Sequence, residues 1–469
     1  MDVNALLKDD YRKWKDLGYI YEKKKGAFEG KTFGRFIEDT YKMAHFMISR
    51  GLKDEKMIIF GKNSYELMVT DLAATAFAGI SVVIAKDTKA GSLLRLIRSI
   101  DAKAVFYAPE KQEEVEAVQA ETGIPCFCFA DYDAIPPAEE LFALPSRDPE
   151  VCSKIVFSSG TTGPSKGVKL SLRNIFFGYE ELSKRVQYDT TDRCYLFLPL
   201  NHVYGSCYCY YLSLIDGYRI YLASSTRNIA QELLETEPTF FCAVPLVYQK
   251  LLDQYGTDIK KAFGPRIRYL FCSGAPCPRE LRAAYKELTM LQAFGMSETA
   301  ASFAIDYPGD QDEETAGTIF SNIDAKIADP DWDGIGEIIV KGDNVFLGYL
   351  DEELTKQVFD GDGYFHTGDL GAIREGKLIL HRRKNKVLLG SNGENIDASA
   401  LAELLTSLDD NISKVVLSMS RDKLTAEIYV KDIRKDTKKT IEEYNRQVLH
   451  HEQIHGAEVL PDDLEKRLK

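Results

Sequence analysis

Ten consecutive residues, Ser158-Ser159-Gly160-Thr161-Thr162-Gly163-Pro164-Ser165-Lys166-Gly167, have the make-up of a polyphosphate cradle. Glycine lets backbone N–H groups crowd around an anion. The Ser and Thr hydroxyls add donors without bulk, and Lys166 places a cation near the end of the loop. The spacing differs from the Gly-x4-Gly-Lys-Ser/Thr loop of the P-loop NTPases.

Such a loop needs a rigid approach, and Lys154 to Phe157 reads as a buried strand leading into it. The first half of the chain alternates strand-like and helix-like blocks. Met57 to Phe60, Ser81 to Ala85 and Ala104 to Tyr107 read as strands; Leu93 to Ile100 has helical periodicity, and Asn63 or Ser64 can cap a helix. The rhythm recurs at Cys194 to Leu198, Tyr218 to Leu222, Phe240 to Val244 and Tyr269 to Cys272. It predicts an α/β fold of largely parallel sheets covered by helices. From about residue 323 to 380 the blocks turn short, β-rich and glycine-punctuated, as in a small antiparallel or barrel-like unit. Beyond the basic cluster at 381–386 a small α+β unit follows. The expected division is a large domain over 1–384 and a small one over 385–469.

With 45% hydrophobic and 28% charged residues, the chain has the profile of a soluble globular protein. Its net charge of −13, without a basic patch, argues against nucleic-acid binding. The N-terminus has no basic segment followed by an apolar run, so no signal peptide is expected, and a cytoplasmic location follows. The apolar stretch from Leu67 to Ala85 is divided by Asp71 and Gly79 and fits a buried helix turning into a strand better than a membrane span. The nine cysteines are scattered; Cys126/Cys128 and Cys207/Cys209 sit in apolar-aromatic runs that suit strands and no zinc site.

The loop at 158–167 resembles the signature of the AMP-forming adenylating enzymes: acyl-CoA synthetases, peptide-synthetase adenylation domains and luciferases. Further matches follow in the family's order over roughly residues 30 to 430. Leu198 to Gly205 is similar to its fourth core motif, which implies an acyl pocket at His202, Val203, Tyr204 and Gly205, with His202 as a gate beside the carboxylate. Val203 stands where amino-acid-activating members carry an aspartate. A valine cannot pair with an ammonium group, so an α-amino-acid substrate is not expected. Ser273-Gly274-Ala275-Pro276 resembles the adenine-contacting loop. Gln292-Ala293-Phe294-Gly295-Met296-Ser297-Glu298 resembles the fifth motif. There the resemblance implies that Phe294 stacks on adenine, Met296 borders the acyl pocket, Ser297 donates to the α-phosphate and Glu298 binds Mg²⁺. The sixth motif matches residues 336–349 and reads as structural. Residues 364–370 match the seventh, with Asp369 on the ribose and Arg383 as a second ribose contact. The eighth motif implies a hinge at Asn385.

The family's terminal lysine motif is altered. Near the end of the sequence stands Pro461-Asp462-Asp463-Leu464-Glu465-Lys466, and Lys466 is the best positional match to the lysine that steadies the carboxylate and α-phosphate, with Lys469 a weaker one. The resemblance implies a ligase, most like bacterial fatty-acyl or other carboxylic acid ligases. It uses ATP and Mg²⁺ to turn an acid into acyl-AMP and passes the acyl group to the thiol of CoA or of a carrier protein's phosphopantetheine. Lys166, Glu298, His202 and Lys466 are its catalytic candidates. Two other readings stay open: a stand-alone enzyme that loads an acyl carrier protein, and an adenylate-binding protein without ligase activity.

Overall fold

The computed structural model describes residues 2–157, 166–275, 277–383, 387–389, 395–420, 423–448 and 452–461. One sheet has six strands in the order Cys126–Cys128, Ala104–Tyr107, Lys56–Phe60, Ile80–Ile84, Cys152–Phe157 and Gly167–Ser171. Its first five strands are parallel and the last is antiparallel. Met57 to Phe60 is buried throughout, as a strand covered on both faces must be. The helix Ala90–Ile100 packs on this sheet through Leu93, Ile97 and Ile100, one face of a 3.6-residue repeat. Asp101 ends it in the left-handed conformation at φ +53.

A second sheet has thirteen strands. Its middle is parallel, through Arg219–Leu222, Arg193–Leu196, Phe240–Ala243, Tyr269–Cys272 and Thr289–Met296. Thr289–Met296 then pairs antiparallel with Ala301–Ile305. The β-rich region expected over 323–380 follows as antiparallel strands hydrogen-bonded in series to this ladder through Thr318–Ile319 and Lys377–Arg383. The C-terminal elements have a core of their own. The helix Ala398–Ser407 packs with the strands Ile412–Ser420, Lys423–Val430 and Ile454–Pro461 around Leu401, Leu405, Ile428 and Tyr444. The expected hinge, Asn385, lies outside the described residues. Among those residues no helix is long and apolar enough to cross a membrane.

The apolar stretch 67–85 is a buried helix, Tyr65–Ala73, running through a wider turn into Ile80–Ile84. Gly79 is needed for space: a Cβ there would run into the Glu55 carbonyl. Asp71 lies inside the core. Lys154 Nζ meets its Oδ1 at 2.6 Å, and the Tyr211 hydroxyl donates to its Oδ2 at 2.8 Å. Ser81 donates to it as well. The expectation of strands at Cys207/Cys209 is corrected. Residues Tyr204–Tyr211 form a wide helical turn buried nearly all round. The alternation of ring and small residues there comes from burial on every side and carries no strand period.

Asp10, on the helix Val3–Trp14, is 2% exposed, and burial pushes its carboxyl up to about 8. Because the folded value lies above the unfolded one, its contribution is complete below about pH 4 and is lost as pH rises through about 8. Asp10→Asn is therefore expected to raise stability at pH 9 by on the order of a few kcal/mol. Near pH 4 it should change little. Urea denaturation at the two pH values measures the difference; equal shifts at both would show that the carboxyl is not buried in its charged form.

Candidate active site

A cavity of about 1630 Å³ opens at the carboxyl ends of the parallel strands. That exceeds the roughly 300–1,000 Å³ of a single-ligand pocket and leaves room for a nucleotide and an acid together. Although the chain is acidic overall, Lys62, Lys86, Arg95, Lys166, Arg227 and Lys250 all line it. Against them stand Asp87, Glu298 and Glu452. An excess of positive charge in a concave site suits a polyanion.

The phosphate-loop residues Ser158, Ser159, Gly160, Thr161, Thr162 and Gly163 lie outside the described residues, but both ends of the loop are placed. Phe157 and Gly167 are register partners on adjacent antiparallel strands, so the loop is a connection pinned at its base. A Cβ at Gly167 would meet the Leu350 side chain, which would have to shift to admit one. Lys166 lines the cavity with its Nζ 5.7 Å from the centre of the Tyr349 ring. Tyr349 belongs to a segment laid beside the strand Gly167–Ser171. Lys169 N donates to Gly348 O at 3.0 Å, and Leu350 N to Gly167 O at 2.8 Å. The Tyr349 hydroxyl donates to Glu298 Oε1 at 2.7 Å, and Phe346 N to Glu298 O at 2.9 Å. The sixth motif, read from sequence as structural, thus holds both Lys166 and Glu298. Sequence reading missed the contact of Tyr349 with Glu298.

Glu298 is 8% exposed and faces the cavity. A single carboxylate beside space for phosphate oxygens fits Mg²⁺, which usually takes one or two carboxylates plus substrate phosphates. Gly295, Met296 and Ser297 line the cavity beside it. A Cβ at Gly295 would strike the Ala301 carbonyl, which explains the glycine. Gln292 and Ala293 sit deeper in the strand. Gln292 accepts from Arg282 at 3.0 Å, and its backbone N–H donates to Asp306 at 2.9 Å. Phe294 is half-buried, its ring edge-on to Phe303 at 5.4 Å. Ser273 and Gly274 reach the cavity, Gly274 at φ +82; Ala275 is half-buried, and Pro276 lies outside the described residues.

His202, Val203, Tyr204, Gly205 and Met296 all line the cavity, as the expected acyl pocket requires. They begin the helical turn that follows Leu198–Pro199, and Gly205 lets that turn press on the Pro199 carbonyl. Tyr204 donates to Phe271 O at 2.8 Å, and burial holds its hydroxyl neutral, well above the usual phenol range. Asn63 grips the approach from the other sheet: its Nδ2 donates to Leu198 O at 2.8 Å, and its Oδ1 accepts from Leu200 N at 3.1 Å. The helix cap is Ser64, which accepts from Leu67 N at 3.2 Å. The sequence offered Asn63 or Ser64 as the cap, and the contacts of Asn63 to Leu198 and Leu200 were not in view.

Where the ribose is expected, His366, Thr367 and Gly368 reach the cavity, with Asp369 next along the strand and 7% exposed. Asp369 and Arg383 are direct backbone partners across the antiparallel pair Phe365–Arg374 and Lys377–Arg383. The Arg383 side chain, Asn385 and Lys466 fall outside what is described.

The AMP-binding enzyme family model matches residues 14–350. The chain belongs to that family. This AMP-binding enzyme is 22% identical over 506 aligned positions to a long-chain-fatty-acid–CoA ligase, ACSBG2, of Gallus gallus, covering 90% of this chain and 66% of that protein. It is 30% identical over 254 positions to a 2-succinylbenzoate–CoA ligase of Staphylococcus epidermidis, covering 53% and 52%. It thus spans less than two thirds of the length of either relative. The fold of the AMP-binding enzyme matches that of o-succinylbenzoate CoA synthetase of Bacillus subtilis, with TM-score 0.84 at 20% identity over 97% of this chain and 94% of that one.

Proposed function

We propose that the protein activates a carboxylic acid other than an α-amino acid as acyl-AMP, releasing pyrophosphate, and then transfers the acyl group to the thiol of CoA. The observation that carries this reading is the meeting of Lys166 and Glu298 with the His202–Gly205 turn around one cavity. The naming of both curated relatives as acid–CoA ligases supports it.

The carboxylate of the acid is ionised at neutral pH and needs no general base. It attacks the α-phosphate in line while the triphosphate lies under the loop at 158–167. Lys166 offers positive charge to the phosphates, and Tyr349 keeps Glu298 turned toward them. Glu298 would hold Mg²⁺, which when bound neutralises charge on the phosphate oxygens. His202 gates the reacting carboxylate, and Val203 leaves an uncharged wall where an ammonium group would need a partner. Ser273 and Gly274 border the adenine; Ser297 faces the α-phosphate; Asp369 and Arg383 hold the ribose. Lys466 closes on the carboxylate, and the C-terminal unit turns about Asn385 between half-reactions. Catalysis is then positioning plus charge stabilisation.

Incubation with ATP, Mg²⁺ and a panel of acids, with hydroxylamine to trap acyl-adenylate, is expected to release pyrophosphate with a subset of acids. ATP binding without pyrophosphate from any acid would overturn the enzyme reading. CoA supplied against a phosphopantetheinylated carrier protein decides the acceptor, CoA being the expected one.

A further inference from the structure

Behind the acyl pocket lies a second, smaller cavity of about 20 Å³. Ala301 and Ser302 line both cavities, so the two share a wall. The helical turn connects them as well: Gly205 borders the large cavity, and Cys207 and Tyr208 border the small one. Six residues separate His202 from Tyr208, roughly 9 Å along a helix axis.

Two polar side chains lining the small cavity have no hydrogen-bond partner among the described residues. Asn344 is 2% exposed, with both Oδ1 and Nδ2 unpaired; Tyr208 is 6% exposed, with its hydroxyl unpaired. The conformation of Asn344 is enforced. Asn174 Nδ2 donates to Asp343 O at 2.8 Å and to Val345 O at 3.0 Å, clamping the backbone on either side of it. The side chains of Thr299 and Asn174 in the same wall are already engaged. Thr299 Oγ1 bonds to Met296 and Ala301, and Asn174 is further tied to Ser171. Leaving three buried polar atoms unpaired is costly, so the arrangement is built for an occupant. Among the described residues no charged one lines the cavity, so a carboxylate or ammonium group would be buried there without compensation from them.

We propose that this small cavity is the far end of the acyl site and takes a neutral, water-sized hydrogen-bonding group of the acid, a hydroxyl or a keto oxygen. The proposal rests on the adenylation reading. The occupant accepts from Asn344 Nδ2 or the Tyr208 hydroxyl, and a hydroxyl also donates to Asn344 Oδ1, while a short acyl spacer runs along the turn from His202.

The test uses the full chain with ATP and Mg²⁺. It compares ω-hydroxyalkanoates with alkanoates carrying a methyl in place of the hydroxyl, over a series of chain lengths, by pyrophosphate release. At a matching length the hydroxy acid is expected to exceed its methyl isostere in kcat/KM by at least about tenfold. Asn344→Leu and the milder Tyr208→Phe should each bring that ratio toward one. Turnover with no hydroxyl preference at any length, or an unchanged preference in both variants, would overturn the subsite and leave a buried-water cavity. Pyrophosphate from no acid at all would instead overturn the adenylation reading and this subsite with it.

Discussion

Glu298→Gln is expected to lower the rate of pyrophosphate release by about 10²–10³-fold, the loss typical of removing one preorganised charge-stabilising group. The substitution is nearly isosteric and keeps an oxygen to accept from Tyr349, whose hydroxyl lies 2.7 Å from Glu298 Oε1. The fold should therefore be unaffected, and the thermal transition should stay close to that of the parent. What disappears is a negative charge at a place 8% exposed and open to the cavity. The variant should consequently need more Mg²⁺ for half-maximal rate. Tyr349→Phe releases the carboxylate without removing it, so a smaller loss is expected, with the Mg²⁺ requirement moved in the same direction. An unchanged rate for Glu298→Gln across a Mg²⁺ titration would take Glu298 out of the site.

Lys154→Met should destabilise the protein by about 3–5 kcal/mol, among the largest effects of any single exchange outside the cavity. The cause is the carboxylate left behind. Asp71 and Lys154 are both essentially inaccessible, 2.6 Å apart, with Tyr211 and Ser81 completing the shell of Asp71. Lys154 Nζ also lies 5.6 Å from the centre of the Tyr211 ring. Adding Asp71→Asn removes the stranded charge, and the double variant should regain part of the loss. Denaturant midpoints of the two variants make the comparison. If the double variant is no more stable than Lys154→Met alone, the stranded charge is not the cause. The network joins the strand Cys152–Phe157, which feeds the phosphate loop, to Tyr211 at the end of the turn that begins beside Val203. Losing it should loosen both sides of the site together.

Much of the architecture was legible because buried parallel strands are short apolar runs between helical patterns. Lys56–Phe60, Ala104–Tyr107 and Tyr269–Cys272 sit where those runs predict. Tyr204–Tyr211 was misread because a helix buried on every side shows no amphipathic stripe. Among candidate site residues, the stretch His202 to Gly205, singled out from its motif, lines the cavity. Asn63 and Tyr349 were not, since their roles depend on carbonyl and carboxylate partners more than fifty positions away. No local pattern encodes such a partner. The same holds for Asn344, whose cavity is assembled from segments near residues 174, 208, 301 and 344.

The strand Thr289–Met296 has a neighbour of each sense, parallel Tyr269–Cys272 on one side and antiparallel Ala301–Ile305 on the other. That makes it a poor crossover point for recombining this chain with a relative. A junction inside it would ask two foreign ladders of different geometry to match at once, directly beneath Ser297 and Glu298. Exchanges of substrate preference would be better carried on a whole block, from the turn after Leu198 to the end of the antiparallel pair at Ile305. Such a block carries the His202–Gly205 turn together with the strand Ala301–Ile305, whose Ala301 and Ser302 line the same cavity.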